Sequence, residues 1–423
     1  MNPRLRWVLL ALISIAFLIN FVHRQVLANV APLLRDQYGF SNTDYSFMVA
    51  AFLLGMGLFQ LPIGLLMDRK GTRFGFTVIV IWWSIASALH AVARTVSEFC
   101  LFRFLLGAGE CGNYSGGLKV IAQRFPPEER ALAGGIFNSC IFIGSVIAPP
   151  MVIWLTLRFS WRVAFLLPSA LGLFWLAAWL RLFPRGLSAA EQAQDRSPSG
   201  AAQGGDLLTR VLLRRRQTWA VIVIRGLGGP LSHFYWFWLP EYLKRARGID
   251  LATIGKVVWI PFLFAGLGNI VGGYLSGILL RRGHSLTFAR RVPFAIGDGL
   301  AALSNFVVLA MPSLTWALVV LSVANFGANM VEPNFIGFIT DIFPEHSVGR
   351  VTGLTGIADN LMSVTLMLTT GIVLDRFSYF PVFMGAALLP LIQISCVIWL
   401  LGPVRKLTSE ALRSPSVARV TPS

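Results

Sequence analysis

Charge is scarce in this chain of 423 residues: Asp, Glu, Lys and Arg make up 13% of it, about half the share found in soluble domains. With 55% of its residues hydrophobic, a water-soluble fold would have nowhere to bury its apolar surface. Cysteine is sparse as well. Cys100, Cys111, Cys140 and Cys396 are scattered without metal-ligand spacing, and three of them lie in apolar runs, so they read as small buried hydrophobes and no metal is expected. The five His are equally dispersed, and neither a Gly-x-Ser-x-Gly elbow nor a phosphate loop occurs. An enzyme reading is left without a reaction centre, and no cofactor is expected.

What the chain has instead is long hydrophobic runs. Residues 7–22, 74–89, 163–180 and 382–401 approach or reach the length that crosses a hydrocarbon core of ~30 Å. The runs are continuous and not alternating, which selects helices over a closed barrel. The first run continues past signal-peptide length with no small-residue cleavage site, so it reads as a spanning helix. Hydropathy places twelve spans at roughly 6–33, 45–67, 74–94, 97–121, 131–156, 161–182, 217–243, 253–281, 290–310, 313–342, 348–374 and 379–402. The expected fold is an all-α polytopic membrane protein of two pseudo-symmetric six-helix bundles. They occupy residues 1–183 and 217–403, with a cytoplasmic linker at 184–216 and a cytoplasmic tail at 404–423. The linker is rich in Ala, Gly, Ser, Gln and Arg, and a short helix is expected near 189–194.

The formal net charge of +17 does not call for nucleic acid. Most of the basic residues gather in the termini and in alternate loops: Arg4 and Arg6, Arg69 to Arg73, Arg124 and Arg130, the 181–216 stretch, Arg281 to Arg291, Arg350, and the tail. That is the positive-inside pattern, which puts both termini in the cytoplasm.

Two loops repeat. Gly64-Leu-Leu-Met-Asp68-Arg69-Lys70-Gly71 follows the second span, and Gly273-Tyr-Leu-Ser-Gly-Ile-Leu-Leu-Arg281-Arg282-Gly283 follows the eighth. Phe125-Pro-Pro-Glu-Glu-Arg130 follows the fourth, and Phe343-Pro344 with Gly349-Arg350 follows the tenth. Both offsets are about 210 to 220 residues, the signature of an internal duplication. Parallel repeats of this kind hold a small-molecule site between the halves at the membrane midplane. A channel would not need matched halves, and a receptor would usually carry a soluble signalling domain. Asp68, Arg69, Gly71 and Arg130 read either as a gate, with Asp68 meeting a neighbouring helix N-terminus, or as solvated turns.

Ionisable residues inside spans cost at least ~2.5–3.5 kcal/mol each, so each is a functional candidate. The first half offers His23, Arg24, Arg103 and Glu110, the last two being seven residues apart and so on one helix face. The second half offers Arg225, His233, Asp298, Glu332 and Asp359. Arg24 is a fixed cation suited to a carboxylate, or else a structural ion-pair partner. Glu110 can exchange a proton, and Arg103, His23, Glu332 and Asp359 are grouped with it as coupling candidates. Glu332 precedes Pro333, where a broken helix frees carbonyls, and Asp359 can brace Arg225. Asp298 is expected near the start of the ninth span in a packing role. Cavity candidates are Asn138, His233, Tyr235, Trp236, Asn334 and Asn360 alongside Arg24 and His23.

These residues resemble the major facilitator superfamily, and within it the anion:cation symporters of bacterial sugar-acid transport. The resemblance covers essentially the whole chain. It rests on the Gly64–Arg73 loop, on Arg103 and Glu110, and on Gly135-Ile-Phe-Asn-Ser139 and Trp236-Phe-Trp-Leu-Pro-Glu-Tyr-Leu243. Gly272-Gly-Tyr-Leu-Ser276 and Asp341-Ile-Phe-Pro344 add to it. It implies proton-driven uptake of a sugar acid such as a hexuronate or aldonate across a bacterial inner membrane, by a monomer using the proton gradient and no cofactor. It also assigns Arg24 and Glu110 to substrate response and protonation. Some positions depart from the pattern. His23 stands where relatives carry Asp, Phe21 and Met56 where they often carry Tyr, and Ile141 where some carry a polar group; Glu332 is foreign to that branch. A less hydroxylated mono- or dicarboxylate, or export or exchange of another solute such as a drug, stays open.

Overall fold

The computed structural model describes residues 3–183 and 205–407; the helix expected at 189–194 and the tail beyond 407 lie outside the described residues. Among the described residues every regular element is a helix. The first half comprises α1 (Pro3–Tyr38), α2 (Asn42–Leu89), α3 (Val96–Glu110), α4 (Gly112–Arg124), α5 (Pro127–Arg158) and α6 (Trp161–Leu182). A short helix α7 (Gly205–Leu213) precedes the second half. That half comprises α8 (Arg216–Arg245), α9 (Leu251–Val257), α10 (Trp259–Arg281), α11 (Leu286–Val307), α12 (Leu314–Met330), α13 (Glu332–Ile342), α14 (Glu345–Arg376) and α15 (Tyr379–Ser395).

Nine stretches of the described helices are long and apolar enough to cross a membrane. One of them, Asn42–Val92, contains Gly71 at φ 82°, ψ 161°. No side chain tolerates that conformation well, and the chain doubles back there so that Gly75 packs on Met67. The stretch therefore supplies two passes. The path α3–α4 and helix α8, which carry charges inside them, are long enough to add two more, so the described residues accommodate the twelve expected passes.

Two helix breaks mark the duplication. The helical path is interrupted at Cys111 between α3 and α4, and at Val331 between α12 and α13. Pro333 accounts for the second break, since a proline has no N–H to continue the ladder. Close packing repeats too. A Cβ at Gly55 would strike the Phe104 carbonyl and one at Gly107 the Phe52 carbonyl, locking α2 to α3. In the second half Gly268 meets the Phe326 carbonyl and Gly272 the Met330 carbonyl, locking α10 to α12.

The halves touch at one end and part at the other. At the end far from α7, a Cβ on Gly371 of α14 would strike Ser46 of α2, and one on Gly255 of α9 would come 2.8 Å from Ile153 of α5. At the α7 end a Cβ on Gly64, Gly134, Gly135, Gly349 or Gly353 would meet nothing within 4 Å. Among the described residues, the close contacts named between the halves lie far from α7, and the space that these glycines face on the α7 side is termed the cleft. Residues 205–213, read from the sequence as linker, form α7, whose Leu212 is fully buried in the apolar cluster of the second half with Val221, Ile342 and Phe343.

Candidate functional site

In the first half, Arg24 of α1 faces Glu110, the last residue of α3. Its Nε and Nη2 stand 3.4 and 3.5 Å from Glu110 Oε2, while Oε1 has no hydrogen-bond partner. Charge-assisted N–H···O bonds close at ~2.7–2.9 Å, so this pair is slack. Arg103, 1% exposed, donates through Nη1 to the Arg24 carbonyl at 3.4 Å, and its Nε and Nη2 have no partner. The Phe52 ring lies between the two guanidiniums, 5.4 Å from Arg24 and 5.5 Å from Arg103. Two cations against one carboxylate leave donors in surplus. Phe21 packs on Arg24 at 5.0 Å and meets Trp236 of the second half edge-on at 5.2 Å, so Arg24 lies where the halves adjoin.

The second half inverts that balance. Arg225 of α8 donates to Glu332 of α13 at 2.6 Å and to Asp359 of α14 at 2.9 Å, and lies over the Phe335 ring at 5.5 Å. One cation serves two carboxylates at full hydrogen-bond strength. Ser363 donates to Asp359 Oδ1 at 3.2 Å and lies 3.2 Å from His233 Nδ1. That nitrogen is also 3.0 Å from the Gly229 carbonyl, which can only accept.

Other expected site residues sit elsewhere. His23 is fully buried, bonded through Nδ1 to Ser87 Oγ at 2.7 Å on the residues 72–89 arm of α2, and is not brought to the cleft. Tyr235 is 1% exposed and trades hydrogen bonds with Asn305 of α11. Asn334 is fully buried and donates to the Gly272 and Met330 carbonyls, tying α10 to the break before α13. These two are fold-holding contacts. Asn360 donates to the Gly356 carbonyl, and its Cβ faces Gly57 of the other half, while Asn138 and Trp236 are half-buried. Asp68 pairs with Lys119 of α4 at 3.0 Å, which is a side-chain ion pair within one half and not a helix N-terminus; Arg69 is exposed. Arg130 donates to the Phe125 and Ala122 carbonyls and closes the end of α4. Asp298 lies in the body of α11, 2% exposed with Oδ2 unpartnered, and not near the helix start as expected; packing of Gly297 against the Gly327 carbonyl draws it inward.

An ionic network at the far end escaped the sequence reading. Arg35 of α1 pairs with Glu241 of α8 at 2.9 Å, with side chains 9% and 0% exposed. Arg245 reaches Asp36 at 2.6 Å and Glu241 at 3.6 Å. Asp375, near the end of α14, accepts the backbone N–H groups of Asn42 and Thr43 at 2.9 and 2.8 Å, capping the start of α2. Tyr45 donates to the Phe237 carbonyl at 2.6 Å. Apart from Arg245–Glu241, which lies within α8, each of these contacts joins the two halves. Glu241 sat inside the motif 236–243, and charges at span ends beside an apolar motif were the available signal.

The model of the Major Facilitator Superfamily matches residues 13–366 and again 285–419. The chain belongs to that superfamily. Its members are transporters, and this chain is a multi-pass membrane transporter and not an enzyme. Among relatives, a hexuronate transporter of Escherichia coli (strain K12) is 29% identical over 405 residues, 93% of each chain. A galacturonate transporter of Dickeya chrysanthemi is 32% identical over 280 residues, 64% of this chain and 81% of its own. Among solved structures, a bacterial homologue of the human lysosomal transporter Spinster, inward-facing and unoccupied, superposes with a TM-score of 0.71 at 18% identity, covering 95% of both chains. A D-xylose–proton symporter gives 0.69 at 16%, covering 93% of this chain and 97% of its own. Those two likenesses bear on fold alone, and the transporter shares their two-bundle architecture.

Proposed function

We propose that this transporter takes up a small carboxylate of the sugar-acid kind by proton-coupled alternating access, as a monomer in a bacterial inner membrane with the α7 end in the cytoplasm. The slack Arg24–Glu110 pair carries the reading. A guanidinium held by its carboxylate at 3.4 Å, beside Arg103 with two idle nitrogens, is ready to exchange Glu110 for an incoming carboxylate. Protonation of Glu110 releases Arg24 to the substrate, and the bound anion in turn keeps the proton on Glu110. Substrate and proton then move together because each removes the partner that the other would need. The names of the curated relatives support a hexuronate or galacturonate as cargo. The test is uptake of radiolabelled hexuronates and aldonates into proteoliposomes with the lumen alkaline: accumulation above equilibrium supports the reading, and equilibration without accumulation overturns the coupling.

A second cargo is favoured by the apolar wall at Arg24. Phe21 offers no hydrogen bond and Trp236 only its single indole N–H on one side of the guanidinium, and a site that recognises many hydroxyls needs a partner for each. A less hydroxylated mono- or dicarboxylate fits that wall. A thermal-shift panel of sugar acids against plain carboxylates separates the two.

A further inference from the structure

We propose that the second half carries a proton site of its own, loaded at His233 and held by Asp359 through Ser363, with Arg225 and Glu332 as fixed counter-charges. The site does not depend on which anion is carried; its use in transport rests on the reading above.

Three observations converge on it. The first is charge. Arg225, Glu332 and Asp359 sum to one negative charge when His233 is neutral, in a place where an uncompensated charge is costly. The second is the direction of the hydrogen bonds. The Gly229 carbonyl can only accept, so His233 carries its hydrogen on Nδ1, which is shared with Ser363 Oγ; Ser363 spends its own hydrogen on Asp359 Oδ1. Nε2 is left as the acceptor. A proton arriving from the cleft bonds to the Nε2 lone pair. The Nδ1 hydrogen then passes to Ser363 Oγ as the Ser363 hydrogen passes to Asp359 Oδ1. The products are a neutral imidazole, an unchanged serine and a carboxylic acid, and the cluster has gained one proton. The third is construction. A Cβ on Gly229 would collide with the Asp359 carboxylate, so this glycine on α8 is what lets the α14 side chain reach the α8 backbone.

The surroundings suit a proton better than a metal cation. Arg225 already occupies an oxygen of each carboxylate, leaving too few free oxygens for the six or so ligands that a hard cation takes. Trp236 and Phe237 flank the imidazole at 5.2 and 6.3 Å. Arg24 of α1 and Tyr114 of α4 are the ionisable groups that face the cluster from the first half. Trp236, which flanks the imidazole, also meets Phe21, and Phe21 packs on Arg24, so this site and the anion site share an aromatic contact. Among the described residues, no other charged group from a packed element faces it.

The test needs no substrate. Infrared difference spectra of the purified protein in nanodiscs, acid minus alkaline, are expected to show a protonated-carboxyl component. That component should be missing from Asp359→Asn and present in Glu110→Gln. Asp359→Asn keeps the neutral Arg225–Glu332 pair, and His233→Gln keeps all three charged groups, so one of the two remains testable if the other misfolds. His233→Gln should slow the appearance of the component after a pH jump without removing it. In proteoliposomes Asp359→Asn should keep substrate counterflow and move one proton fewer per anion. A spectrum of Asp359→Asn identical to wild type overturns the site. If no tested acid enters the proteoliposomes in wild type, the cargo reading falls while the spectra still decide the proton site.

Discussion

Arg24 is held by Glu110 at only 3.4 and 3.5 Å, and everything expected at the residue scale follows from that slack. Arg24→Ala should lose anion binding by at least tenfold, consistent with about 1.5–3 kcal/mol for a hydrogen bond to a charged group, and thermal shift against the transported acid measures it. Wild-type affinity in that variant would remove Arg24 from the site. Glu110→Gln leaves Arg24 without a competing charge; it should bind and exchange the anion yet lose the proton carried at Glu110, so that accumulation under a pH gradient falls below wild type. Wild-type accumulation by this variant would show that Glu110 carries no coupled proton. Arg24, Arg103 and Glu110 were legible in the sequence because a charge inside a span is conspicuous against its apolar neighbours. The role of His23 was not. Its Ser87 partner lies 64 residues away, and only folding shows that the ring turns from the cleft into helix packing.

Two helical paths in this transporter are interrupted beside an acid. Glu110 is the last residue of α3 and Glu332 the first of α13, so each half places a carboxylate at a break in its fourth helix. Pro333 announced one break in advance. Cys111 gave no such sign, since an interruption without proline depends on what packs around it. The glycines that fasten these helices were visible as small-residue spacing, but which carbonyls they admit was not. Gly268→Val would drive a branched side chain into the Phe326 carbonyl. It should destabilise the second half by about 1–3 kcal/mol or more, seen as a lower melting temperature in detergent. Gly134→Ala, which meets open space, should leave the melting temperature unchanged and serves as the control.

At the scale of the whole molecule, hydropathy and repetition are local or periodic properties, which is why the twelve passes and the two halves could be read from the sequence. The far-end network could not, because Arg35 and Glu241 stand 206 positions apart and neither lies in a repeated motif position. Glu241→Gln removes the charge that Arg35 pairs with and leaves its guanidinium the Phe40 carbonyl and Asn42 Oδ1, so the cost is at most the about 3–5 kcal/mol of a broken buried pair. The transporter can relieve it by parting the halves at that end. Spin labels at the exposed positions Arg94 and Pro312 should then report longer distances across the far end than in wild type; an unchanged distribution would show that the ion pair does not hold the closure.

The opposite charge surpluses of the two clusters also decide how the transporter meets the membrane voltage. Arg24, Arg103 and Glu110 leave one positive charge in the first half, and Arg225, Glu332 and Asp359 leave one negative charge in the second. The six together carry none, so an empty carrier can reset across the field with no electrical work done on them. If the carrier takes up a singly charged anion with the two proposed protons, the same ensemble carries one positive charge, and each 100 mV acting on it is worth about 2.3 kcal/mol. Under that proposal a membrane negative inside pulls on the loaded stroke alone, and the return runs at a rate that voltage does not set.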